Sequence, residues 1–375
     1  MRATLFKLLF AIVCLLSSTN ALANDYFEVD GIYYDVVSLD ELTCEVIKNR
    51  SNDWYKGDII IPETVNYNGR AFTVVKIAKD AFYSNGDITS VTIGNSVTSI
   101  DVWQFMRCRG LKSVTIGNAV TSIGIKAFEE CVKLTSVTIG NSVISIGESA
   151  FRKCESLTNV LIPNSVTTIG RDAFRECSNL TSVTISNSVT SIEDGTFEDC
   201  KSLVDVVIPN SVISMGIAFS GCSSLTSFVI PNSVTSIGDG MFLWCSSLVS
   251  VTIGSSVTNI GKLAFYGCDA LTELYSLNPI PPQVEYKYQS ITNSTFTSTH
   301  YSTTHVYVPQ EALEEYKNTT GWMFFSNLKG INATGINNVE TENGNENVYY
   351  DLQGNRLNAP KRGVNIINGK KIFVK

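Results

Sequence analysis

One pattern of apolar and polar positions, about 23 residues long, recurs along most of this chain. As a consensus it is L-x-x-V-x-I-x-N-x-V-x-x-I-G-x-x-A-F-x-x-C. Each copy ends in a cysteine, and these are Cys108, Cys131, Cys154, Cys177, Cys200, Cys222, Cys245 and Cys268. A fixed period of this length predicts a solenoid, in which every unit buries its apolar face against the next.

Inside each unit the pattern predicts two short extended segments and a corner. The V-x-I segment alternates with period two, which is typical of a strand with every second residue inward, as at Val91 and Ile93. A second extended segment follows, with Val97 and Ile100 in the first unit, and glycine then leads into the A-F-x-x-C corner. The unit before Cys222 is one residue short, so we expect a local irregularity there without a break.

The two ends depart from the repeat, as they must if they cover an otherwise open core. We predict a β-hairpin cap before the repeats, and after them a second cap with a strand at 305–309 and an amphipathic helix at 310–318. A linker then leads to a β-rich tail, in which Asn368-Gly369 is a strong hairpin signal. The predicted boundaries are 1–23 for a signal peptide, 24–58 for the first cap, 59–275 for the repeats, 276–331 for the second cap, 332–347 for the linker and 348–375 for the tail.

The segment 1–23 has the features of a secretion signal. Arg2 and Lys7 give a positive start, an apolar run covers 8–16, and residues 21–23 supply a small-x-small cleavage pattern. A membrane anchor is the alternative, but the run is shorter than the roughly 20 residues that a bilayer requires. Lipidation of Cys14 is disfavoured because no convincing small-residue motif precedes it. We therefore expect an exported protein with no transmembrane segment in its mature chain.

Composition restricts the classes of partner. Only 17% of the residues are charged and the formal net charge is −7, which argues against nucleic acid or an anionic membrane as the ligand. The cysteines recur at one phase, so we expect them to stack with parallel side chains, which is poor disulfide geometry. The sequence therefore predicts buried free thiols that pack as small apolar groups.

Patterns of catalytic or metal-binding residues are missing from the sequence. The two histidines, His300 and His305, have no cysteine or carboxylate at metal-site spacing, and we interpret both as solvated loop residues. There is no G-x-S-x-G, P-loop or H-E-x-x-H motif. Acids that recur at the corners are interpreted as a solvated edge: Glu129, Glu130, Glu198 and Asp199. We therefore expect no enzyme activity and no cofactor.

The repeating unit resembles the BspA-type leucine-rich repeat of bacterial and protist surface proteins. Residues 134–154, LTSVTIGNSVISIGESAFRKC, are similar to the consensus of that family, and the resemblance extends over about 59–275. It implies a mainly β fold, a right-handed leucine-rich-repeat solenoid with terminal caps, and adhesion to host proteins or to other microbes. The tail resembles the C-terminal sorting modules of secreted Bacteroidetes proteins, which implies type IX-like export to the outer surface. A hairpin that closes the domain is the alternative interpretation of the tail.

Candidate binding residues lie on the strands, where the resemblance places outward side chains on the concave side. Most of these positions hold Ser or Thr, but Leu161, Val207 and Val229 put apolar groups where Thr is usual. Exposed apolar side chains among polar ones are typical of a contact with a protein partner. The candidate set is completed by Asn159, Asp205 and Tyr275 on the strands and by Trp103, Arg107 and Trp244 elsewhere.

Two hypotheses of function follow from this surface. The favoured one is a secreted or cell-surface protein that binds extracellular proteins, of a host or of other microbes, through many weak contacts. The alternative is a glycan-binding or nutrient-capture accessory protein. A glycan site would need aromatic platforms, and the outward columns of the repeats offer only Tyr275.

Overall fold

The computed structural model describes residues 26–51, 54–286 and 294–331, together with the backbone of four strands between residues 349 and 374. Residues 1–23 and 332–347, which the sequence assigns to a signal peptide and a linker, lie outside the described residues. In the described part strands dominate, helices are short, and successive turns stack at the spacing of the sequence repeat. The predicted mainly β solenoid is confirmed.

An N-terminal sheet precedes the repeats. The first six strands are β1 (Tyr26–Val29), β2 (Ile32–Ser38), β3 (Thr43–Val46), β4 (Gly57–Ile61), β5 (Thr64–Tyr67) and β6 (Arg70–Ile77). All except β4 belong to this sheet, in the order β1-β2-β3-β6-β5. Phe27 of β1 stacks on Tyr67 of β5 with ring centroids 4.4 Å apart, which joins the two outer strands. The sheet continues to residue 77, whereas the sequence places the end of the first cap at 58; the domain boundaries stay predictions.

The repeats contribute two strands per turn. These strands are, in chain order, β7 (Ile88–Ile93), β8 (Ser99–Ile100), β9 (Ser113–Thr115), β10 (Ser122–Ile123), β11 (Ser136–Thr138), β12 (Ser145–Ile146), β13 (Asn159–Leu161), β14 (Thr168–Ile169), β15 (Ser182–Thr184), β16 (Ser191–Ile192), β17 (Ser214–Met215), β18 (Ser227–Val229), β19 (Ser236–Ile237), β20 (Ser250–Ile253), β21 (Asn259–Ile260), β22 (Glu273–Ser276) and β23 (Gln283–Val284). The V-x-I strands and the shorter strands alternate along the chain, except between β16 and β17, where the V-x-I segment around Val206 forms only an isolated bridge at Val207.

Parallel pairing sorts these strands into two ladders. The main ladder contains β4 and the V-x-I strands, in the stretches β4-β7-β9-β11, β13-β15 and β18-β20-β22. The minor ladder contains the short strands, in the stretches β8-β10-β12-β14, β16-β17 and β19-β21-β23. Paired residues occupy the same place in consecutive units, as Val114 and Val137 do. The period of the sequence is therefore the step from one rung to the next.

Columns of identical side chains fill the interior. The corner phenylalanines stack ring on ring, with centroids 5.1–5.7 Å apart for most neighbours. The ladder cysteines are fully buried, and the cysteines of the described residues are free thiols. Each ladder Sγ also donates a hydrogen bond to the carbonyl of the phenylalanine one unit earlier, as Cys131 does to Phe105 at 3.1 Å. The cysteine column therefore helps to fix the corners as well as filling the core.

The corners turn through residues with left-handed backbone, two residues before and two residues after the phenylalanine. In the unit of Phe105 these are Trp103 (φ 63°) and Arg107 (φ 62°). The unit that is one residue short keeps only the second of them, Gly221 (φ 74°), after Phe219. The deletion therefore removes one left-handed residue from the corner.

The core is repacked around the shortened unit. The rings of Phe219 and Phe242 are 6.4 Å apart, wider than the other ladder neighbours. Phe228, at a strand position that holds valine in most units, lies edge-on to both rings, 4.9 Å and 4.8 Å away. The minor ladder still pairs Ser191 with Ser214 across this unit. The predicted irregularity is present, and the solenoid continues through it.

The main ladder extends beyond the repeats. Helix α1 (Ser298–Thr303) precedes β24 (His305–Pro309), and a 3-10 turn (Gln310–Ala312) and helix α2 (Leu313–Asn318) lead to β25 (Asn327–Ile331). Strands β22, β24 and β25 pair in parallel, so the ladder gains two rungs. The strand and the helical segment lie where the sequence predicts them. Trp322 is buried behind them and donates its indole N–H to the carbonyl of Pro282 at 2.7 Å.

His300 is buried, so the prediction of a solvated loop residue is wrong for this histidine. Its Nδ1 accepts a hydrogen bond from the backbone N–H of Thr297 at 3.2 Å, which leaves the ring proton on Nε2. Nε2 then donates to the carbonyl of Cys268, 3.0 Å away. Burial lowers the pKa of His300. The neutral ring thus joins α1 to the last cysteine of the ladder.

The described strands of the tail form an antiparallel sheet. They are β26 (Tyr349–Asp351), β27 (Arg356–Leu357), β28 (Gly363–Ile367) and β29 (Lys370–Val374), in the order β27-β26-β28-β29. Ile367 pairs with Lys370, so β28 and β29 meet as a hairpin requires. The turn residues 368–369 themselves lie outside the described residues.

Candidate functional site

The register of the main ladder defines two outward columns. The Ser column is Asp58, Ser90, Ser113, Ser136, Asn159, Ser182, Asp205, Ser227, Ser250, Glu273, His305 and Asn327. The Thr column is Ile60, Thr92, Thr115, Thr138, Leu161, Thr184, Val207, Val229, Thr252, Tyr275, Tyr307 and Lys329. Sequence reasoning missed the first rung and the last two. The alternating segments DIIIP, of the first rung, and HVYVP, of the rung of Tyr307, can be recognised in the sequence. Intervening loops break the 23-residue period, so these segments could not be aligned with the repeats.

Apolar side chains interrupt the Thr column in the middle of the ladder. Leu161 is 66% exposed and Val207 is 42% exposed, while Val229 is half-buried. Leu161 pairs with Thr184, which in turn pairs with Val207, so a single threonine separates the two exposed groups. With adjacent strands about 4.8 Å apart, these side chains lie within the footprint of one partner surface.

Two more valines that the sequence analysis missed lie in this region, each directly before a residue of the Ser column. Val204 and Val249 are exposed at a position that is lysine or threonine in the preceding units. Thr226 joins them, because it donates its N–H to the carbonyl of Val204 and accepts the N–H of Val249. Both valines could have been identified from the sequence, because each differs from the residue that the repeat usually holds at that position. The apolar patch is therefore defined as Leu161, Val204, Val207, Val229 and Val249.

Asp205 and Asn159, the predicted polar candidates, lie in the Ser column beside this patch. Asp205 Oδ1 accepts the N–H of the next residue, Val206, at 2.9 Å. Regular strand structure is lost there, and a single bridge from Thr184 to Val207 continues the main ladder. Asn159 is exposed and its Nδ2 donates to the hydroxyl of Thr158 at 3.3 Å.

Two tyrosines dominate the C-terminal end of the Thr column. The rings of Tyr275 and Tyr307 stack with centroids 4.7 Å apart. The Tyr275 hydroxyl donates to Glu273 Oε2 at 3.3 Å, and burial raises the pKa of Tyr275. Lys329 follows on the last rung. This end of the ladder therefore offers an aromatic pair between an acid and a base.

The remaining predicted residues, Trp103, Arg107 and Trp244, lie at the corners and not in the outward columns. The Trp103 ring has Lys79 Nζ 5.2 Å from its centroid. The Trp244 ring packs edge-on against Tyr266 at 5.2 Å. All three residues have left-handed backbone. The structure thus separates these candidates from the strand candidates.

Glu129, Glu130 and Glu198 form ion pairs with arginines of neighbouring units, which the prediction of a solvated edge missed. Glu130 accepts a hydrogen bond from Arg109, which lowers the pKa of Glu130, and also pairs with Arg107 at 3.4 Å. Glu129 is buried and pairs with Arg152 at 3.3 Å. An acid and an arginine exactly one repeat apart were the available signal. Arg107 therefore has an intramolecular partner.

A metal site and a membrane-spanning helix have little support within residues 26–51, 54–286 and 294–331. No group of three or more His, Cys, Asp or Glu side chains is placed there to hold a metal ion. None of the helices in these ranges is long and apolar enough to cross a membrane.

Comparisons with known proteins support the repeat assignment. A sequence model described as BspA type Leucine rich repeat region matches six copies, over residues 75–204, 167–284 and 217–350. A leucine-rich repeat protein from Bacteroides ovatus is 26% identical, and the match covers 76% of this chain and 79% of that one with a TM-score of 0.54. The leucine-rich repeat protein of T. pallidum is 30% identical, with coverage of 53% and 90% and a TM-score of 0.47. A search of curated proteins finds no match.

Proposed function

Because this chain belongs to the family of BspA-type leucine-rich-repeat proteins, we propose that it is an exported protein that adheres to other proteins through the outer face of its main ladder. The observation that carries the proposal is the exposure of Leu161 and Val207 on an otherwise hydroxyl-rich face. When a partner covers such exposed apolar groups, the free energy of binding becomes more favourable by about 25 cal/mol per Å² of buried apolar surface.

The ladder suits adhesion because it needs little reorganisation on binding. The strands that carry Leu161 and Val229 each pair with the strand of the next unit and lie over the buried core. A contact surface that is already ordered loses little conformational entropy when a partner docks. Serine and threonine around the apolar patch supply hydrogen bonds at its rim, as in most protein interfaces.

The tyrosine pair provides a second contact region on the same face. Tyrosine is enriched among the residues that contribute most to protein binding. Tyr275 and Tyr307 hold each other in one orientation, with Glu273 on the rung of Tyr275 and Lys329 on the rung after Tyr307. A long partner that reaches both the apolar patch and this pair would gain from two weak contacts at once.

Surface display is the second part of the proposal. It is supported by the signal-like residues 1–23 and by the resemblance of the tail to sorting modules. Cell fractionation of the native host would compare the full chain with a chain that ends at residue 347. Retention of the shortened protein inside the cell supports sorting by the tail, and equal surface display of both chains contradicts it.

Adhesion is tested with residues 24–331 on an array of extracellular-matrix proteins and mucins. The double variant Leu161→Asp/Val207→Asp should bind at least tenfold more weakly, because it puts charge where the partner covers apolar groups. The matched control is Thr115→Asp/Thr138→Asp, which adds the same charge to exposed positions of the same column. Equal binding by both variants, or no binding by the folded wild type, would refute adhesion through the apolar patch.

A further inference from the structure

A groove lies between the N-terminal sheet and the first rung of the main ladder. It encloses a cavity of about 830 Å³, within the usual range for small-molecule sites. One wall is β4, another is β5, and the turn between β1 and β2 closes one side. Further lining residues are Asn49, Ser51, Trp54, Tyr55 and Lys56. None of these residues belongs to the apolar patch or to the tyrosine pair.

Trp54 gives this groove an exposed aromatic platform. Its side chain lines the cavity and is 42% exposed, while Lys48 Nζ lies 5.0 Å from the ring centroid. The next residue, Tyr55, is buried and fixes the backbone beside it. The Tyr55 hydroxyl accepts the N–H of Tyr33 at 3.0 Å and donates to the carbonyl of Ile47 at 2.7 Å. The platform is therefore attached to an anchored segment.

Polar groups surround the platform, and several are already held in place. Asp58 Oδ1 accepts hydrogen bonds from the hydroxyls of Thr89 at 2.7 Å and Ser90 at 2.6 Å. Asn49 Oδ1 accepts both the N–H and the hydroxyl of Ser51, at 2.8 Å and 2.6 Å. The opposite walls add further hydrogen-bonding side chains: Asp30, Thr64 and Asn66. The Oδ1 atoms are thus occupied, and the two side chains offer a ligand Asp58 Oδ2 and Asn49 Nδ2 without being reordered when it enters.

We propose that the groove beside Trp54 binds a neutral oligosaccharide. A sugar ring has an apolar face of C–H groups, which suits the exposed indole and the neighbouring Ile60, and a rim of hydroxyls, which suits carboxylate and amide acceptors. Asp30 and Asp58 in the lining are balanced by Lys56 and by Lys48, which lies over the Trp54 ring, so the groove has no net charge that would attract an ionic ligand. The site also removes the objection that the outward columns lack aromatic platforms for a glycan.

A different ligand for this groove is an extended peptide that adds to β4, the outermost strand of its sheet. The polar lining favours the sugar, because strand addition depends on backbone groups and on pockets for alternate side chains. The proposal does not rest on protein adhesion. It uses other residues, so the Leu161→Asp/Val207→Asp variant should keep the sugar affinity of the wild type.

The test is calorimetric titration of the full chain with maltohexaose, cellohexaose, xylohexaose, chitohexaose and mannohexaose, each added alone. At least one should bind, and Trp54→Ala should weaken that binding tenfold or more. Asp58→Ala should also weaken it, because the fixed carboxylate acceptor is lost. Trp244→Ala is the matched control, since it removes an exposed tryptophan far from the groove and should leave the affinity unchanged.

Tryptophan emission supplies a second readout. The sugar that binds should shift the emission of the wild type and of Trp244→Ala, but not that of Trp54→Ala. Circular dichroism checks that every variant is folded. The proposal is overturned if none of the five sugars binds the folded wild type, which would leave the peptide as the ligand to test, or if Trp54→Ala binds the sugar as well as the wild type does.

Discussion

At the scale of single residues, the cysteine column is the clearest case in which structure adds to the sequence. The repeat predicts buried free thiols, and the free thiols of the described chain are buried. It does not predict that each Sγ donates to a phenylalanine carbonyl one unit earlier, as Cys245 does to Phe219 at 3.2 Å. Burial raises the pKa of Cys177 and Cys245 to about 12. These thiols stay protonated in the folded protein at pH values where an unfolded thiol ionises.

Stability should therefore fall as pH rises above about 8.5, the pKa of an unfolded thiol. In that range the folded state binds more protons than the unfolded state, and each such thiol lowers the free energy of unfolding by an amount that rises towards about 1.4 kcal/mol per pH unit as the unfolded thiol becomes fully ionised. Urea unfolding at pH 8.0, 8.75 and 9.5 measures the slope. Cys245→Ser is the control, since it keeps a donor towards Phe219 and loses one titrating group. A slope that is flat, or that Cys245→Ser leaves unchanged, would contradict this account.

At the left-handed corner positions, glycine should give a more stable protein than alanine, which is the reverse of the usual order. At Trp103, with φ of 63°, a Cβ is unfavourable. The free energy of unfolding of Trp103→Gly should therefore be about 1 kcal/mol higher than that of Trp103→Ala. The same pair of substitutions at Thr115, an exposed strand residue, should show the opposite order. Chemical denaturation of the four variants decides it. Alanine more stable than glycine at position 103 would show that the corner is not held in this conformation.

At the scale of elements, the shortened unit shows how one missing residue is accommodated. The gap between Phe219 and Phe242 is filled edge-on by Phe228. Phe228→Val restores the residue that most units hold, yet it should lower the free energy of unfolding by about 2–3 kcal/mol, because it leaves a cavity that valine cannot fill. Ser227→Ala, on the outward side of the same strand, should change it by at most about 0.5 kcal/mol. Equal stability of Phe228→Val and wild type would refute this packing role.

The same comparison shows which elements can be predicted from sequence. Val91 and Ile100 were placed correctly because their period alone determines strand and face. Tyr307 was missed as an outward residue, since the loop before β24 breaks the period that aligns the rungs. Trp54 and its groove depend on how the N-terminal sheet meets β4, which is long-range packing that no local pattern encodes. Binding roles for the predicted site residues stay predictions, because nothing in the periodicity names a partner.

At the scale of the whole molecule, the ends should decide whether the solenoid folds. Each turn is stable only when its apolar face is covered by a neighbour. A chain of residues 24–276 would uncover Leu274 and the carbonyl of Cys268 that His300 satisfies. We expect it to aggregate or to lose cooperative unfolding. A chain of residues 24–331 should melt within about 2 °C of residues 24–375, because the described tail strands pair with one another. Calorimetry of the three chains tests this, and a cooperative 24–276 would contradict it.

The parallel ladders also determine how the protein would respond to force. Their hydrogen bonds join one turn to the next, so they are directed along the long axis, while the backbone runs around it. Tension between the two ends therefore opens one rung at a time instead of shearing many bonds together. Each released unit gives about 75 Å of slack chain. A protein built in this way extends in small steps under a sudden pull, one unit at a time, and the turns that remain stacked keep their surfaces intact.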